Sequence, residues 1–300
     1  MKVCHIGTLP LEQMGSITRD IYYNCIGEHH YSLLGKEPIK ADIYILHCFK
    51  KHHEKFRDWT PPFEGAKVIS LLHSSPPCEP AKCSDRIIII SKDQGKMFFR
   101  SMTFNDPRGF IKLICPGIKP LRHTQKSNKK SIIKIARGES GKFHPEEAKV
   151  IDSIDAKYTL ICSKPEKVKD LVPKKADIID NISIDDMESK ENILAKHGIY
   201  ADGHGDFEDT FCIALLEAMS AGLACVVLRQ GNNFVLDEVL GDSGIITDTP
   251  EKFKFAIETL IKNDDLRVLY GNMARLRSKQ YFSVERMLAE WNKLLIETWC

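Results

Sequence analysis

The sequence predicts an α/β fold made of two doubly wound parallel-sheet domains, and three observations support this. Its 300 residues suffice for two domains of about 150, each large enough to bury its own core. Short, almost continuously apolar runs alternate with helical or turn segments, which is typical of parallel strands covered on both faces. This pattern stops near residue 117 and starts again at residue 131.

Six apolar runs predict the strands of a first domain over residues 1–119. They are rich in Ile, Val and Leu, and polar segments with helical periodicity or turn residues separate them. The runs are KVCHIG, HHYSLLG, ADIYILHCF, AKVISLLHS, DRIIIIS and FIKLICPG.

A basic linker over residues 120–130 follows, with turn residues and no acid. The strand pattern then resumes and predicts a second domain over residues 131–282. The segment 283–300, SVERMLAEWNKLLIETWC, has apolar residues at helical spacing after a Ser N-cap and predicts a closing helix that packs on the first domain. The other runs are SIIKIARG, KYTLICS, KADIID, KHGIYADG and GLACVVL as strands, and PEEAKVIDSI, TFCIALLEAMSA, PEKFKFAIETLIKN and DLRVLYGNMARLRSK as helices.

Composition indicates an ordinary soluble globular protein, with 43% hydrophobic and 28% charged residues. No apolar run approaches the roughly 20 residues of a membrane span, and the N-terminus lacks signal-peptide features, so we expect a cytoplasmic protein. The net charge of +2 hides an asymmetry: residues 1–130 hold 21 Lys and Arg against 12 Asp and Glu, or +9, while residues 131–300 hold 22 against 29, or −7. The two halves are therefore expected to face different partners, unless the basic half is only a solvated surface.

Two cations follow the first predicted strand of the second domain, in the segment IARGESGKFHP. Arg137 and Lys142 share a loop in which Gly138 permits close backbone approach. Such a pair can hold the oxygens of a diphosphate. The alternative is two solvated surface cations.

The segment EDTFCIALLEAMSAG predicts a helix that begins near Phe211. The unpaired amides around Cys212 and Ile213 at its N-terminus would attract an anion. Glu217 could accept hydrogen bonds from ribose hydroxyls, and Asp209 could reach a sugar beyond the phosphates. The alternative is an acid that favours the helix dipole and an incidental Glu.

These motifs, with others, resemble the retaining glycosyltransferases of family 4, whose GT-B fold has two Rossmann-like domains facing across a cleft. The family's E-x7-E appears as the D-x7-E of DTFCIALLE, followed by AMSAG, and its Arg and Lys pair appears in ARGESGK with the same separation. DIYILHCF, LLHSSP, SDRIIIIS, CPGIKP, NNFVLDEVLGDSGIITD and YFSVERM resemble further family segments in the same order.

The resemblance implies roles for individual residues. Arg137 and Lys142 would hold the leaving diphosphate, His73 would line the sugar site, and Asp209 would contact the transferred sugar; these four are the implied catalytic residues. The implied donor-binding residues are Gly15, Ser16, Arg137, Gly138, Lys142, Glu208, Asp209, Phe211, Cys212, Ile213 and Glu217.

Three departures from the family pattern concern the donor. Asp209 stands where the family has Glu, and Glu208 beside it is the alternative first acid. Ala136 replaces a glycine, and only Gly15 remains of a glycine pair after the first strand. These departures bear on the donor sugar more than on nucleotide binding.

The reaction implied is transfer of a sugar from a UDP-, GDP- or ADP-sugar to an acceptor hydroxyl with retained anomeric configuration. The nucleotide sugar is a co-substrate, no cofactor or metal is implied, and a phosphate oxygen takes the acceptor proton. The Cys78–Cys83 spacing fits a zinc site poorly, and His29 and His30 lie in a polar segment that predicts solvated side chains.

The acceptor is left open. Basic segments with aromatic residues, at 50–59 and 91–102, suggest a polyanion such as DNA with modified bases or an anionic membrane lipid, which would place the protein peripherally on a membrane or on nucleic acid. The alternatives are a neutral glycan acceptor, with Phe98 and Phe99 in the core, or a nucleotide-sugar binding protein without turnover.

Overall fold

The computed structural model describes residues 1–14, 16–48, 53–73, 80–101, 110–121, 130–180, 182, 186–205, 211–231 and 235–300. The chain divides into two compact units. The first comprises Met1–Gly117 and Ser283–Cys300, with Phe211. The second comprises Ile118–Glu208 and Cys212–Phe282.

The first unit is built on a six-stranded sheet in the order β2-β1-β3-β4-β5-β6. All of its strand pairs are parallel. Helices follow β1, β3 and β5 and form part of the crossover connections between parallel strands. The strands are β1 (Lys2–Gly7), β2 (Glu28–Leu33), β3 (Ile43–Cys48), β4 (Lys67–Leu72), β5 (Arg86–Ile89) and β6 (Phe110–Leu113), and the helices are α1 (Ser16–Asn24), α2 (His53–Arg57) and α3 (Lys92–Ser101).

The second unit has its own six-stranded parallel sheet, in the order β12-β11-β10-β7-β8-β9. Its strands are β7 (Ile132–Arg137), β8 (Tyr158–Ser163), β9 (Ala176–Ile179), β10 (Ile199–Gly203), β11 (Ala224–Leu228) and β12 (Ile245–Thr247). Its helices are α4 (Glu147–Asp152), α5 (Met187–Leu194), α6 (Ile213–Ser220), α7 (Val235–Leu240), α8 (Pro250–Lys262) and α9 (Asp264–Tyr281).

The last helix, α10 (Val284–Trp299), belongs to the first unit although the second unit precedes it in the sequence. Ser283 caps it, since the side chain accepts a hydrogen bond from the backbone N–H of Arg286. Arg286 in turn donates to the carbonyl of Cys115, 2.7 Å away. The apolar side of α10, which includes Trp291, is buried.

The break between the units falls at Gly117, two residues before the predicted end of the first domain. Leu121, which the sequence places in the basic linker, is buried in the second unit, and its N–H donates to the Ser220 hydroxyl at 3.0 Å. The linker residues 122–129 lie outside the described residues.

Each sheet has one point at which consecutive connections leave in opposite directions. In the first sheet this switch point lies between β1 and β3, and in the second between β7 and β10. Ligands of doubly wound folds bind beyond the carboxyl ends of the strands at such points. The residues at the carboxyl ends of β1, β3, β7 and β10 are therefore the candidates for ligand binding.

Within the part of the chain that the structure describes, none of the helices combines the length and apolar character needed to cross a bilayer.

Candidate functional site

The loop after β7 carries the two predicted cations of the second unit. Arg137 is the last residue of β7, and Lys142 ends a short 3-10 turn, Ser140–Lys142. The Arg137 guanidinium is half exposed and lies 3.4 Å from the carboxylate of Glu139. An exposed pair of this kind contributes about 1 kcal/mol or less, so it holds Arg137 only weakly.

A buried lysine lies beneath this loop. Lys134 in β7 is 0% exposed, and its ammonium donates to the carbonyl oxygens of Lys142 (2.9 Å) and Gly203 (3.0 Å) and to Glu147 Oε2 (2.7 Å). These bonds use all three of its N–H groups. Asp202 Oδ1, at 2.9 Å, therefore receives charge attraction from Lys134 without a hydrogen bond. Lys134, in β7, thus ties the loop to the end of β10 at the switch point.

The charges of this cluster are unequal: one ammonium faces two carboxylates. Burial raises the pKa of Glu147 to about 7, against the attraction of Lys134. Burial acts on Asp202 in the same direction, but Lys134 and His204 hold its pKa well below the usual value. Burial alone would lower the pKa of Lys134, and the two carboxylates raise it. The cluster therefore keeps the Lys134–Asp202 pair charged and leaves Glu147 as the group that takes up a proton near neutral pH.

Two glycines let the loop approach its neighbours closely. A Cβ on Gly138 would lie 2.2 Å from the Lys164 carbonyl oxygen, and one on Gly205 would lie 2.5 Å from that of Gly141. Both distances are shorter than any real contact, so larger residues would displace the loop.

Helix α6 begins at Ile213, with Cys212 as its N-cap, two residues after the predicted start. The Cys212 side chain makes no capping hydrogen bond. Leu215 and Met219 are fully buried. Gly222 follows the helix with φ +79°, a left-handed conformation that favours glycine at a helix C-terminus.

Glu217 in α6 pairs with a residue that the sequence did not single out. Its Oε1 lies 2.8 Å from Nζ of Lys190 in α5, and both side chains are almost wholly buried, at 5% and 3% exposed. The two residues are 27 positions apart, so no local pattern indicates the pair. Because an ionised carboxylate has about four lone-pair sites, the bond to Lys190 leaves Glu217 able to accept from other donors.

In the first unit, His73 follows β4 and is hydrogen-bonded to a second histidine. Its Nε2 lies 3.0 Å from Nδ1 of His47, which in turn contacts His5, and His5 contacts His29. His29, predicted to be solvated, is only partly exposed, because its ring is hydrogen-bonded to His5 and to the Ile26 carbonyl.

Of the remaining predicted site residues, some lie within the described part of the chain and others do not. Ser16 is the first residue of α1, and Phe211 is buried directly before Cys212. Gly15, Glu208 and Asp209 lie outside the described residues, as does Cys78.

Among the described residues, no group of three or more His, Cys, Asp or Glu side chains is arranged to hold a metal ion.

Comparison with known proteins places this fold among solved structures. The sequence matches no protein-family model and no curated protein. The crystal structure of Anabaena HepE with UDP and glucose is similar over 99% of this chain and 100% of its own, with a TM-score of 0.74 and 14% identity. A glycosyltransferase from Rickettsia africae covers 99% of this chain and 98% of its own (TM-score 0.71, 12% identity).

Sucrose-phosphate synthase from Thermosynechococcus elongatus is also similar, over 86% of this chain and 73% of its own, with a TM-score of 0.67 and 12% identity. The predicted fold class is confirmed: the chain has the GT-B fold, with two Rossmann-like parallel sheets.

Proposed function

We propose that the protein is a retaining glycosyltransferase, similar to family 4, which moves a sugar from a nucleotide-diphosphate sugar to an acceptor hydroxyl. The observation that carries this proposal is the loop with Arg137 and Lys142, which Lys134 ties to the switch point of the second sheet. The GT-B fold adds support, because similar structures contain UDP with glucose or UDP-glucose.

In this proposal the diphosphate lies against the loop and the start of α6. Arg137 and Lys142 hold its oxygens, with the amides around Cys212 and Ile213 as further donors. Preorganised positive charge where a leaving group gains negative charge is a large contribution to catalysis. Glu217, oriented by Lys190, accepts from the ribose hydroxyls.

The remaining roles follow the family resemblance. Asp209 or Glu208 contacts the transferred sugar, His73 lines the sugar site, and Gly15 and Ser16 lie over the phosphates. A phosphate oxygen takes the acceptor proton while the acceptor attacks from the face that the diphosphate leaves, so the anomeric configuration is retained. Much of the rate then comes from positioning.

We further propose that the reaction needs no metal, because Arg137 and Lys142 supply the positive charge. Transfer measured after chelation with EDTA should then equal transfer with added Mg²⁺ or Mn²⁺. Loss of transfer on chelation, with recovery on adding the metal, would contradict this part.

For the acceptor we propose a polyanion, DNA or an anionic membrane lipid, met in the cytoplasm. The excess of basic residues over 1–130 supports it. Part of this positive charge is balanced locally, because Asp58 pairs with both Arg57 and Lys82. Phe98 is buried in the core of the first unit, so it does not contribute to an exposed aromatic surface. Acceptor binding should weaken steeply with added salt; salt-independent binding would indicate a neutral glycan.

The decisive experiment is a panel of UDP-, GDP- and ADP-sugars. Each is tested for a rise in melting temperature, since a ligand that binds the native state stabilises it, and for hydrolysis or transfer, with the anomer of the product read by NMR. Lys142→Ala should abolish the response, and Lys149→Ala, at an exposed lysine of the same unit, should not. Stabilisation without turnover would indicate a binding protein, and no response to any sugar would overturn the proposal.

A further inference from the structure

Four histidines form a continuous hydrogen-bonded row across the first sheet. They come from four strands that lie side by side: His29 from β2, His5 from β1, His47 from β3 and His73 directly after β4. The ring nitrogens are separated by 2.8 Å (His5 Nε2 to His29 Nδ1), 3.0 Å (His5 Nδ1 to His47 Nε2) and 3.0 Å (His47 Nδ1 to His73 Nε2). The row crosses the switch point between β1 and β3.

The rings of this row are kept neutral by their surroundings. His5 and His47 are 0% exposed. Burial lowers the pKa of His5 to about 3 and that of His73 to about 4. Burial, with the neighbouring His5 and His73, holds the pKa of His47 well below its usual value, and burial also lowers the pKa of His29. Each ring therefore carries a single N–H at neutral pH.

The direction of hydrogen bonding in the row is set at one end. Nε2 of His29 lies 2.9 Å from the Ile26 carbonyl oxygen, which can only accept, so His29 is protonated at Nε2. Its Nδ1 must then accept from His5 Nε2–H. By the same reasoning His5 Nδ1 accepts from His47, and His47 Nδ1 accepts from His73.

Thr18 lies beside the same nitrogen but does not set the direction. Its hydroxyl oxygen is 3.2 Å from Nδ1 of His47, and a hydroxyl can donate or accept. At the other end of the row, His73 uses its one N–H on His47. Whatever Nδ1 of His73 contacts, it contacts as an acceptor.

We propose that His29, His5 and His47 are positioning residues that hold His73 as the neutral tautomer protonated at Nε2, so that its Nδ1 accepts a hydrogen bond from a hydroxyl of the donor sugar. This rests on the proposed function, which assigns His73 to the sugar. The row selects a sugar that presents a hydroxyl at this point. A sugar carboxylate there has no proton to donate and is disfavoured.

The tautomer can be measured without any substrate. Protein labelled with ¹⁵N-histidine is studied by long-range ¹H–¹⁵N NMR at pH 7, and His73→Phe assigns the His73 ring. All four rings are expected to be protonated at Nε2 alone. A His73 ring protonated at Nδ1, or at both nitrogens, would overturn the proposal.

A variant at the far end tests whether the row acts through its length. His29→Phe removes the acceptor of His5 Nε2–H, after which the row can run in either direction with one unmet buried nitrogen in each case. His73 should then become a mixture of tautomers. His30→Phe, at the next residue of β2, should leave His73 unchanged. An unchanged His73 in His29→Phe, with the fold intact by circular dichroism, would show that the row has no positioning role.

The contact with the sugar is tested with UDP-glucose and analogues in which fluorine replaces each sugar hydroxyl in turn. Fluorine cannot donate, so one analogue should bind about tenfold more weakly than UDP-glucose, the loss expected for one hydrogen bond. In His73→Phe that same analogue and UDP-glucose should bind alike. Equal losses in wild type and His73→Phe, or no binding of UDP-glucose, would overturn the sugar contact. Because the NMR result needs no ligand, it separates failure of the row from failure of the proposed function.

Discussion

The ammonium of Lys190 lies 2.8 Å from the carboxylate of Glu217, and water is nearly excluded from both side chains. A charge in such a place is stable only with its partner. Removing one partner of a buried pair costs about 3–5 kcal/mol, far more than breaking an exposed pair.

Lys190→Met should therefore lower the free energy of unfolding by about 3–5 kcal/mol, measured by urea denaturation. Lys190→Met/Glu217→Gln should recover part of this loss, because no buried carboxylate is left without Lys190. Lys149→Met breaks an exposed pair with Glu146 and should cost about 1 kcal/mol or less. Equal losses in the two single variants would show that the Lys190–Glu217 pair does not behave as a buried one.

Glu147 should give the protein a pH-dependent stability. Its pKa is about 7 in the folded protein against an ordinary value of 4.5, because it is buried. The folded protein thus keeps a proton that the unfolded chain releases, and stability falls as pH rises from about 4.5 to about 7. A shift of this size corresponds to a loss of about 3 kcal/mol across that window.

Glu147→Gln, which mimics the protonated form, should lose this dependence. The measurement is the difference in unfolding free energy between wild type and Glu147→Gln from pH 5 to pH 8. Glu146→Gln, at the exposed neighbour, is the matched control. A difference that stays constant over this range would contradict the prediction.

Gly138→Ala should distort the loop that carries Arg137. The new Cβ would meet the carbonyl oxygens of Lys164 and Ser163 at 2.2 and 2.4 Å. We expect a loss of about 1–3 kcal/mol of stability, as for an overpacked site, and much weaker binding of the nucleotide sugar. Ser140→Ala, at an exposed residue of the same loop, should be neutral in both measurements. Unchanged melting temperature and affinity in Gly138→Ala would show that the loop is free to move.

The two tryptophans of α10 should contribute very different amounts to the free energy of unfolding. Trp291 is 1% exposed and Trp299 is 54% exposed. Trp291→Ala should cost about 3–5 kcal/mol, as expected for a large cavity, whereas Trp299→Ala should stay within about 0.5 kcal/mol. Thermal and urea unfolding measure both. A small loss for Trp291→Ala would mean that the first unit does not depend on α10.

The fold class could be predicted because its strands have a clear sequence pattern. All six predicted strands of the first unit are present, because runs such as IYILHC are apolar on both faces. In the second unit, β12 escaped prediction because it has three residues, Ile245–Thr247. Helix α7, of six residues, was likewise too short for its periodicity to be read.

The site was predictable only where one segment carries it. Arg137 and Lys142 could be proposed because they follow a strand within a single loop. The role of Lys134 was not predicted, although a lysine among isoleucines in a strand covered on both faces was a signal for a buried, paired charge. Lys190 had no such signal, since its partner lies on another helix.

The histidine row was out of reach for a different reason. Its hydrogen-bonded neighbours are 24, 42 and 26 positions apart along the chain, and only the order of the strands brings them together. The polar residues around His29 predicted a solvated side chain instead. Pairwise contacts across a parallel sheet depend on register, which no single segment encodes.

The return of α10 to the first unit affects the order in which the protein can be assembled on the ribosome. The first unit lacks the buried side of α10 until the whole second unit has been translated. The second unit, by contrast, is contiguous from Ile118 apart from the piece at Phe211. Domains usually mature in the order of their synthesis; here the half that is made first is the one completed last.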